Sequence, residues 1–177
     1  MSDKPQVSKV EKIKESSRGL RGTLAEELAN DAPNFEQDSL QLLKFHGIYQ
    51  QDDRDARNRS GGGMEKAYSM MIRGRIPGGR MTASQYLEFD RLADLYGNGG
   101  LRLTTRQSIQ YHGVLKHNMK DIIKGIHESM LSTICACGDV VRNVTQAPNP
   151  LGDPELDKLD EPSNLISDHF AARSNAY

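Results

Sequence analysis

LRLTTRQSIQYHG, residues 101–113, decides how the rest of this chain is read. Successive side chains of a strand point to opposite faces of its sheet. Read continuously with that period, the stretch puts Arg102, Thr104, Arg106, Ser108, Gln110 and His112 on one face. Leu101, Leu103, Ile109 and Tyr111 fall on the other. One face is then a row of six hydrogen-bonding groups carrying two guanidiniums. Such planar forks suit bidentate contacts with carboxylates and other oxyanions. A merely solvated face is the plain alternative, yet lysine or glutamate would serve that role equally well.

Around this stretch, residues 64–146 read as the compact unit. Residues 68–76 suit a strand with Met70, Ile72 and Ile76 on one side and Arg73 and Arg75 on the other. Pro77-Gly78-Gly79 ends it, and a turn there needs the same residues as an anion cradle would. Thr82 with Gln85 forms a capping box for a helix that brings Phe89, Leu92, Ala93 and Tyr96 to one face. After the arginine strand, Asn118 opens a second helix with Met119, Ile122, Ile123, Ile126 and Met130 on one stripe. A last short strand is expected at residues 140–144. This alternation is that of an α+β ferredoxin-like sandwich with both helices on one face of the sheet. Arg73, Arg75, Arg102 and Arg106 would share the open face.

Residues 1–63 read as an extended N-terminal arm with short helices. Thr23 and Glu26 suit a capping box for residues 24–29, Pro33 stops that helix, and residues 39–45 suit another short one. QQDDRDARNR, residues 50–59, is too charged for a core and is expected to pack on another surface or stay mobile. Gly61, Gly62 and Gly63 mark a joint. Residues 147–177, with four prolines and many acidic residues, read as extended or weakly helical chain.

Composition sets limits. The 177 residues suffice for one domain with a real core, or one domain and an arm. With 23 Lys and Arg against 24 Asp and Glu, the formal charge is −1, so total charge gives no support to nucleic-acid or membrane-surface binding. A ferredoxin-like sheet that binds single-stranded RNA needs aromatics on its open face, and this one carries Arg, Thr, Ser and Gln. The chain has neither an apolar run of 18 residues nor a secretory pattern at its N-terminus, so a cytoplasmic location is expected. Two cysteines, Cys135 and Cys137, cannot complete a four-ligand metal site and read as buried thiols. His46 suits packing or a turn; His117, His127 and His169 read as surface residues.

Five strings carry a family resemblance: LRGTLAEEL (20–28), LLKFHGIYQQDDRDAR (42–57), IRGRIPGG (72–79), LRLTTRQSIQYHGVLK (101–116) and ACGDVVRNV (136–144). Over residues 18–150 the chain resembles the N-terminal part of the assimilatory sulfite reductase hemoproteins, within the siroheme-containing sulfite and nitrite reductase superfamily. The KFHGIYQQDDRD segment resembles the sulfite branch. The resemblance implies six-electron reduction of sulfite to sulfide at a siroheme coupled to a 4Fe-4S cluster. It implies that Arg102, Thr104, Thr105, Arg106, Gln110 and His112 lie at or near the carboxylate-rich siroheme. By strand period alone Thr105 points to the other face. Arg73 and Arg142 match the arginines that hold the substrate anion in that family. Fixed guanidiniums would bind it and stabilise departing oxygen, but arginine is a poor proton donor. Val141 stands where the family usually has a polar residue.

The resemblance also implies electrons from NADPH through a flavoprotein subunit, or from ferredoxin. The family's cluster cysteines and its proton-donating lysines lie farther along than residue 177. The chain is therefore expected to be an N-terminal fragment, inactive alone unless another chain supplies the missing half. A nitrite-reducing segment and a fragment without catalytic role are the alternatives.

Overall fold

The computed structural model describes residues 7–58 and 65–173. Its sheet has four antiparallel strands: β1 (Ile48–Asn58), β2 (Glu65–Arg73), β3 (Arg102–Leu103) and β4 (Ile109–Val114), in the order β1-β2-β4-β3. From β2 onward the chain follows the expected α+β course. The helices α4 (Ala83–Tyr96) and α5 (Met119–Glu128) bury Phe89, Leu92, Ala93, Met119, Ile122 and Ile126 against Met70, Ile72, Ile109, Tyr111 and Val114. The Phe89 and Tyr111 rings meet at 5.4 Å between centroids. The capping box forms as read: Gln85 N donates to Thr82 Oγ1 at 3.2 Å, and Thr82 N to Gln85 Oε1 at 2.9 Å. Met130 does not join the α5 stripe. It lies past the helix end with φ 63° and is 87% exposed.

The N-terminal section is not an arm that packs elsewhere. Residues 48–58 form β1 and pair along β2, with Ile48 opposite Ile72 and Gln51 opposite Ser69. Charge misled the reading: an edge strand needs one buried face only near its start, and there Ile48 is 1% exposed. Farther along, Asp52, Asp53, Arg54, Asp55 and Arg57 discourage pairing of the free edge with another chain. Strand β1 takes the place beside β2 that a ferredoxin-like order gives to the last strand, so residues 140–144 form none. Helices α1 (Lys9–Ser16), α2 (Leu24–Leu28) and α3 (Gln37–Phe45) precede it. Leu20, Leu24, Phe35, Leu42, Leu43 and Phe45 enter the same core as the rest. The Thr23–Glu26 capping box does not form; Thr23 Oγ1 instead donates to Glu27 Oε1 at 2.7 Å. The expected joint at Gly61, Gly62 and Gly63 lies outside the described residues.

The stretch 101–113 is not one strand but a hairpin. Residues 104–108 turn, with Thr104 N donating to Ser108 O at 2.9 Å and Gln107 N to Thr104 O at 3.0 Å. A three-residue hairpin loop ends on a left-handed residue, usually glycine. Here that residue is Gln107 at φ 53°. The conformation is held from outside. The buried Asn143 donates its amide to the carbonyls of Arg106 (2.8 Å) and Gln107 (3.2 Å) and accepts from Ile76 N (2.7 Å). Gln107 and Gln146 add a reciprocal pair, Nε2 to O at 2.7 Å and N to Oε1 at 3.0 Å. A sequence signal for this turn was missing because its cost is met by residues some forty positions away.

The C-terminal section is more helical than expected. Asp153 caps α6 (Pro154–Asp157), and α7 (Asp160–His169) follows. Pro162 sits in the first turn of α7, where a missing N–H costs nothing. Helix α7 docks by Arg75, whose Nε donates to Ser167 Oγ at 2.9 Å and which also bonds the Ser167 carbonyl.

Two substitutions test this packing. Asn143→Ala strands three backbone groups and is expected to cost about 3 kcal/mol. Tyr111→Phe removes a buried hydroxyl that has no partner among the described residues; it should keep or raise stability by up to about 1 kcal/mol. Denaturant midpoints with unchanged slopes measure both.

Candidate anion site on the open sheet face

The hairpin changes which residues share a face. Cross-strand register sets Arg102 opposite Gln110, and Gln110 opposite Arg73. Directly opposite residues point the same way. Arg102 of β3, Gln110 of β4 and Arg73 of β2 therefore form a row across three strands. His112 follows Gln110 on that face. Opposite Met71, β4 carries both His112 and Gly113, a bulge that Gly113 permits with φ 73°. Tyr49 and Gln51 bring β1 to the same face, Tyr49 opposite Met71.

Of the expected row of six, the structure thus unites Arg102, Gln110 and His112. Ser108 is buried, its hydroxyl donating to the Gly74 carbonyl. Thr104, Thr105 and Arg106 belong to the turn. Thr104 Oγ1 accepts from Ser108 N at 3.2 Å, and Thr105 and Arg106 are exposed. Arg75 leaves the face for α7, its guanidinium 3.6 Å from Asp168 as well. Arg142 comes to the Arg73 end of the face: both guanidiniums act electrostatically on Tyr49 and on Cys137.

Three groups here, Cys137, Tyr49 and His112, are shifted, each for a physical reason. Burial disfavours the Cys137 thiolate and pushes the thiol up, against the pull of Arg73 and Arg142. Burial likewise raises the Tyr49 phenol, Cys137 adding to the rise while both arginines oppose it. His112 is lowered, first by burial, then by Arg102 and Arg73.

Gln110 organises the row. A guanidinium only donates, so the Gln110 amide turns its oxygen toward Arg73, 3.0 Å from Nε. Its nitrogen then faces His112 Nε2 at 3.2 Å. On the other side His112 Nδ1 lies 3.2 Å from Gln51 Oε1. Gln51 and Tyr49 were missed in the sequence because they sit in the segment taken for an arm. The alternation Tyr49, Gln51 against Ile48, Gln50 was the available signal, with only one apolar residue to carry it.

Other candidates carry different chemistry. A concavity of about 890 Å³ is lined mostly by apolar groups such as Ile76, Tyr86, Leu87, Leu103, Ile109 and Pro148, which do not suit an oxyanion. Gly78 spends its N–H on Val144 O at 2.8 Å, so Gly78-Gly79 is a turn rather than a cradle. His46 Nε2 bonds the Leu20 carbonyl at 2.9 Å. Among the described residues, no group of three His, Cys, Asp or Glu side chains could hold a metal, and no helix is long and apolar enough to cross a membrane.

Comparison with known proteins gives likenesses of sequence and fold. Residues 63–129 match the nitrite/sulfite reductase ferredoxin-like half domain. Across 99% of its length the chain is 44% identical to the sulfite reductase [NADPH] hemoprotein beta-component of Staphylococcus saprophyticus. To the protein of the same name from Shouchella clausii it is 48% identical over 96% of its length. It spans 31% and 30% of those two relatives. The solved structure of the Mycobacterium tuberculosis NirA protein shares the fold over 92% of this chain and 31% of that one, with a TM-score of 0.72 at 20% identity.

His112 makes a measurable contribution to acid sensitivity. Because its folded-state value lies below the ordinary 6.5, the unfolded chain takes up this proton first as pH falls. Stability from this group is complete above about pH 6.5 and declines below it until the folded imidazole itself protonates. Denaturant midpoints at about pH 7 and about pH 5 should therefore differ less in His112→Gln than in the parent chain.

Proposed function

We propose that this chain, which carries the nitrite/sulfite reductase ferredoxin-like half domain over residues 63–129, acts as part of a reductase of that family and binds siroheme carboxylates and the sulfite anion on its open sheet face. One observation carries the reading: Arg102, Gln110 and Arg73 stand in a cross-strand row with His112 beside them and Arg142 at its end. A donor set of guanidiniums and amides on one face fits a carboxylate-rich macrocycle. Arg102, exposed on the edge strand, is the residue for a peripheral carboxylate. Arg73, held by Gln110 and by its Nη1 contact to the Ala136 carbonyl at 3.4 Å, is fixed rather than free to swing, as a substrate-binding guanidinium needs to be. Thr104, Thr105 and Arg106 would reach the macrocycle from the hairpin turn, Arg106 as a second carboxylate partner.

When bound, siroheme with its 4Fe-4S cluster supplies the electrons for six-electron reduction of sulfite to sulfide. The chain's own part is to hold anions. Arg73 and Arg142 bind the substrate oxygens and favour the charge that builds as an S–O bond breaks. The cysteines among the described residues, Cys135 and Cys137, are both buried and too few for the four ligands such a cluster takes. The NADPH and beta-component in the relatives' names support a donor that is NADPH, acting through a flavoprotein partner subunit, over ferredoxin. The sulfite wording of those names likewise favours sulfite over nitrite.

Anaerobic titration of the full chain with siroheme, followed by its visible spectrum, tests the reading. Saturable one-to-one binding is expected. Arg102→Ala and Arg73→Ala should each weaken it about tenfold to a hundredfold, the worth of one charge-assisted contact. Equal binding by the parent and both variants would overturn it.

A further inference from the structure

Four side chains on the open face form a hydrogen-bond chain that runs in only one direction. Arg73 can only donate, which turns the Gln110 oxygen toward it, 3.0 Å from Nε. The Gln110 amide nitrogen is then the donor to His112 Nε2, 3.2 Å away, so Nε2 presents its lone pair. A neutral imidazole has one proton, and it must reside on Nδ1, where Gln51 Oε1 accepts it at 3.2 Å. The reverse direction would set two donors against each other at Arg73.

We infer that Gln51 is a positioning residue: Arg73 sets the direction of the chain, and Gln51, by accepting the Nδ1 proton of His112, holds the imidazole in the tautomer that lets Gln110 keep its oxygen on the Arg73 guanidinium. The inference rests on the reading of Arg73 as an anion ligand for its functional meaning, but its geometry stands on the four side chains themselves. It gives the N-terminal strand a role in the site. β2 and β4 separate β1 from Arg102, and Gln51 is the reach of β1 into the network.

The chain also makes His112 a proton-reading element. A second proton on Nε2 would face the Gln110 NH₂, so the amide must turn over. Its NH₂ then meets Arg73, and the guanidinium keeps only the Ala136 carbonyl as acceptor. Protonation of His112 and the Gln110 hold on Arg73 are therefore mutually exclusive. Among the described residues, the charged groups that act on His112 are Arg102 from β3 and Arg73 from β2, with Gln51 from β1 on its Nδ1. The loop before β3 meets its backbone, Asn98 N donating to the His112 carbonyl at 3.0 Å. Lowering of the His112 proton affinity by burial and the two arginines agrees with this arrangement.

Nitrogen-15 spectra of the labelled full chain test it without any ligand. Two-bond proton–nitrogen couplings distinguish the tautomers, with His112→Gln and Arg73→Lys assigning the signals. The parent at mildly alkaline pH should display the Nδ1–H form. Gln51→Leu leaves the Nδ1 proton without its acceptor, so it should raise the Nε2–H fraction at the expense of Nδ1–H and shift the Arg73 Nε–H resonance, while Gln51→Glu, which keeps the acceptor, should restore both. An unchanged backbone spectrum away from the face shows that the fold survives. An Nε2–H tautomer in the parent, or an Arg73 resonance unmoved by Gln51→Leu, would overturn the inference. Failure of siroheme titration with the tautomer result intact would instead count against the anion reading alone.

Discussion

The side-chain amide of Asn143 is the contact on which the rest of this molecule depends. It accepts from Ile76 N and donates to the carbonyls of Arg106 and Gln107, joining the end of β2 to the hairpin turn. Without that clamp, Gln107 would sit in a left-handed conformation that costs a residue with a side chain about 1 kcal/mol or more. The turn fixes the register of β3 on β4, and that register decides which side chains share the open face. One residue of slip would send Arg102 and Gln110 to opposite sides. Asn143 also tethers Arg142, its immediate neighbour, at the Arg73 end of the face. A single buried amide therefore coordinates three arginine-bearing segments.

How much of this could be read from the sequence follows from how local each determinant is. Helix α4 was legible in detail because a capping box and an apolar stripe lie within fourteen residues. The core set of Met70, Ile72, Phe89, Leu92 and Ile122 was legible for the same reason. Arg102, Gln110 and His112 were found on one face, although the continuous strand that was meant to place them does not exist. A hairpin whose paired positions 102 and 110 differ by an even number preserves the parity of a straight strand. Parity failed at Ser108 and Arg106, which lie inside the turn.

What the sequence hid was non-local. β1 looked like a solvated arm because its buried face is short and its charges blunt a sheet edge, and only pairing with β2 reveals its role. Arg75 looked like a partner of Arg73, but the strand ends between them and α7 claims its guanidinium through Ser167. Helix α7 itself was masked by Pro162, which reads as a breaker unless it falls in a first turn. In each case the deciding contact spans a long separation in sequence.

The electrostatics of the face then follow from burial rather than from charge count. Arg73, Arg102 and Arg142 are gathered in a chain whose net charge is −1. Their field would be cancelled locally if Tyr49 or Cys137 ionised beside them, since both arginines favour that. Burial opposes it at each group and prevails, so the phenol and the thiol stay protonated. Burial, with Arg102 and Arg73, keeps His112 neutral, which spares the face a further repulsive charge. Among the described residues of the face, charge is thus borne by guanidiniums because burial keeps the phenol, the thiol and the imidazole neutral beside them.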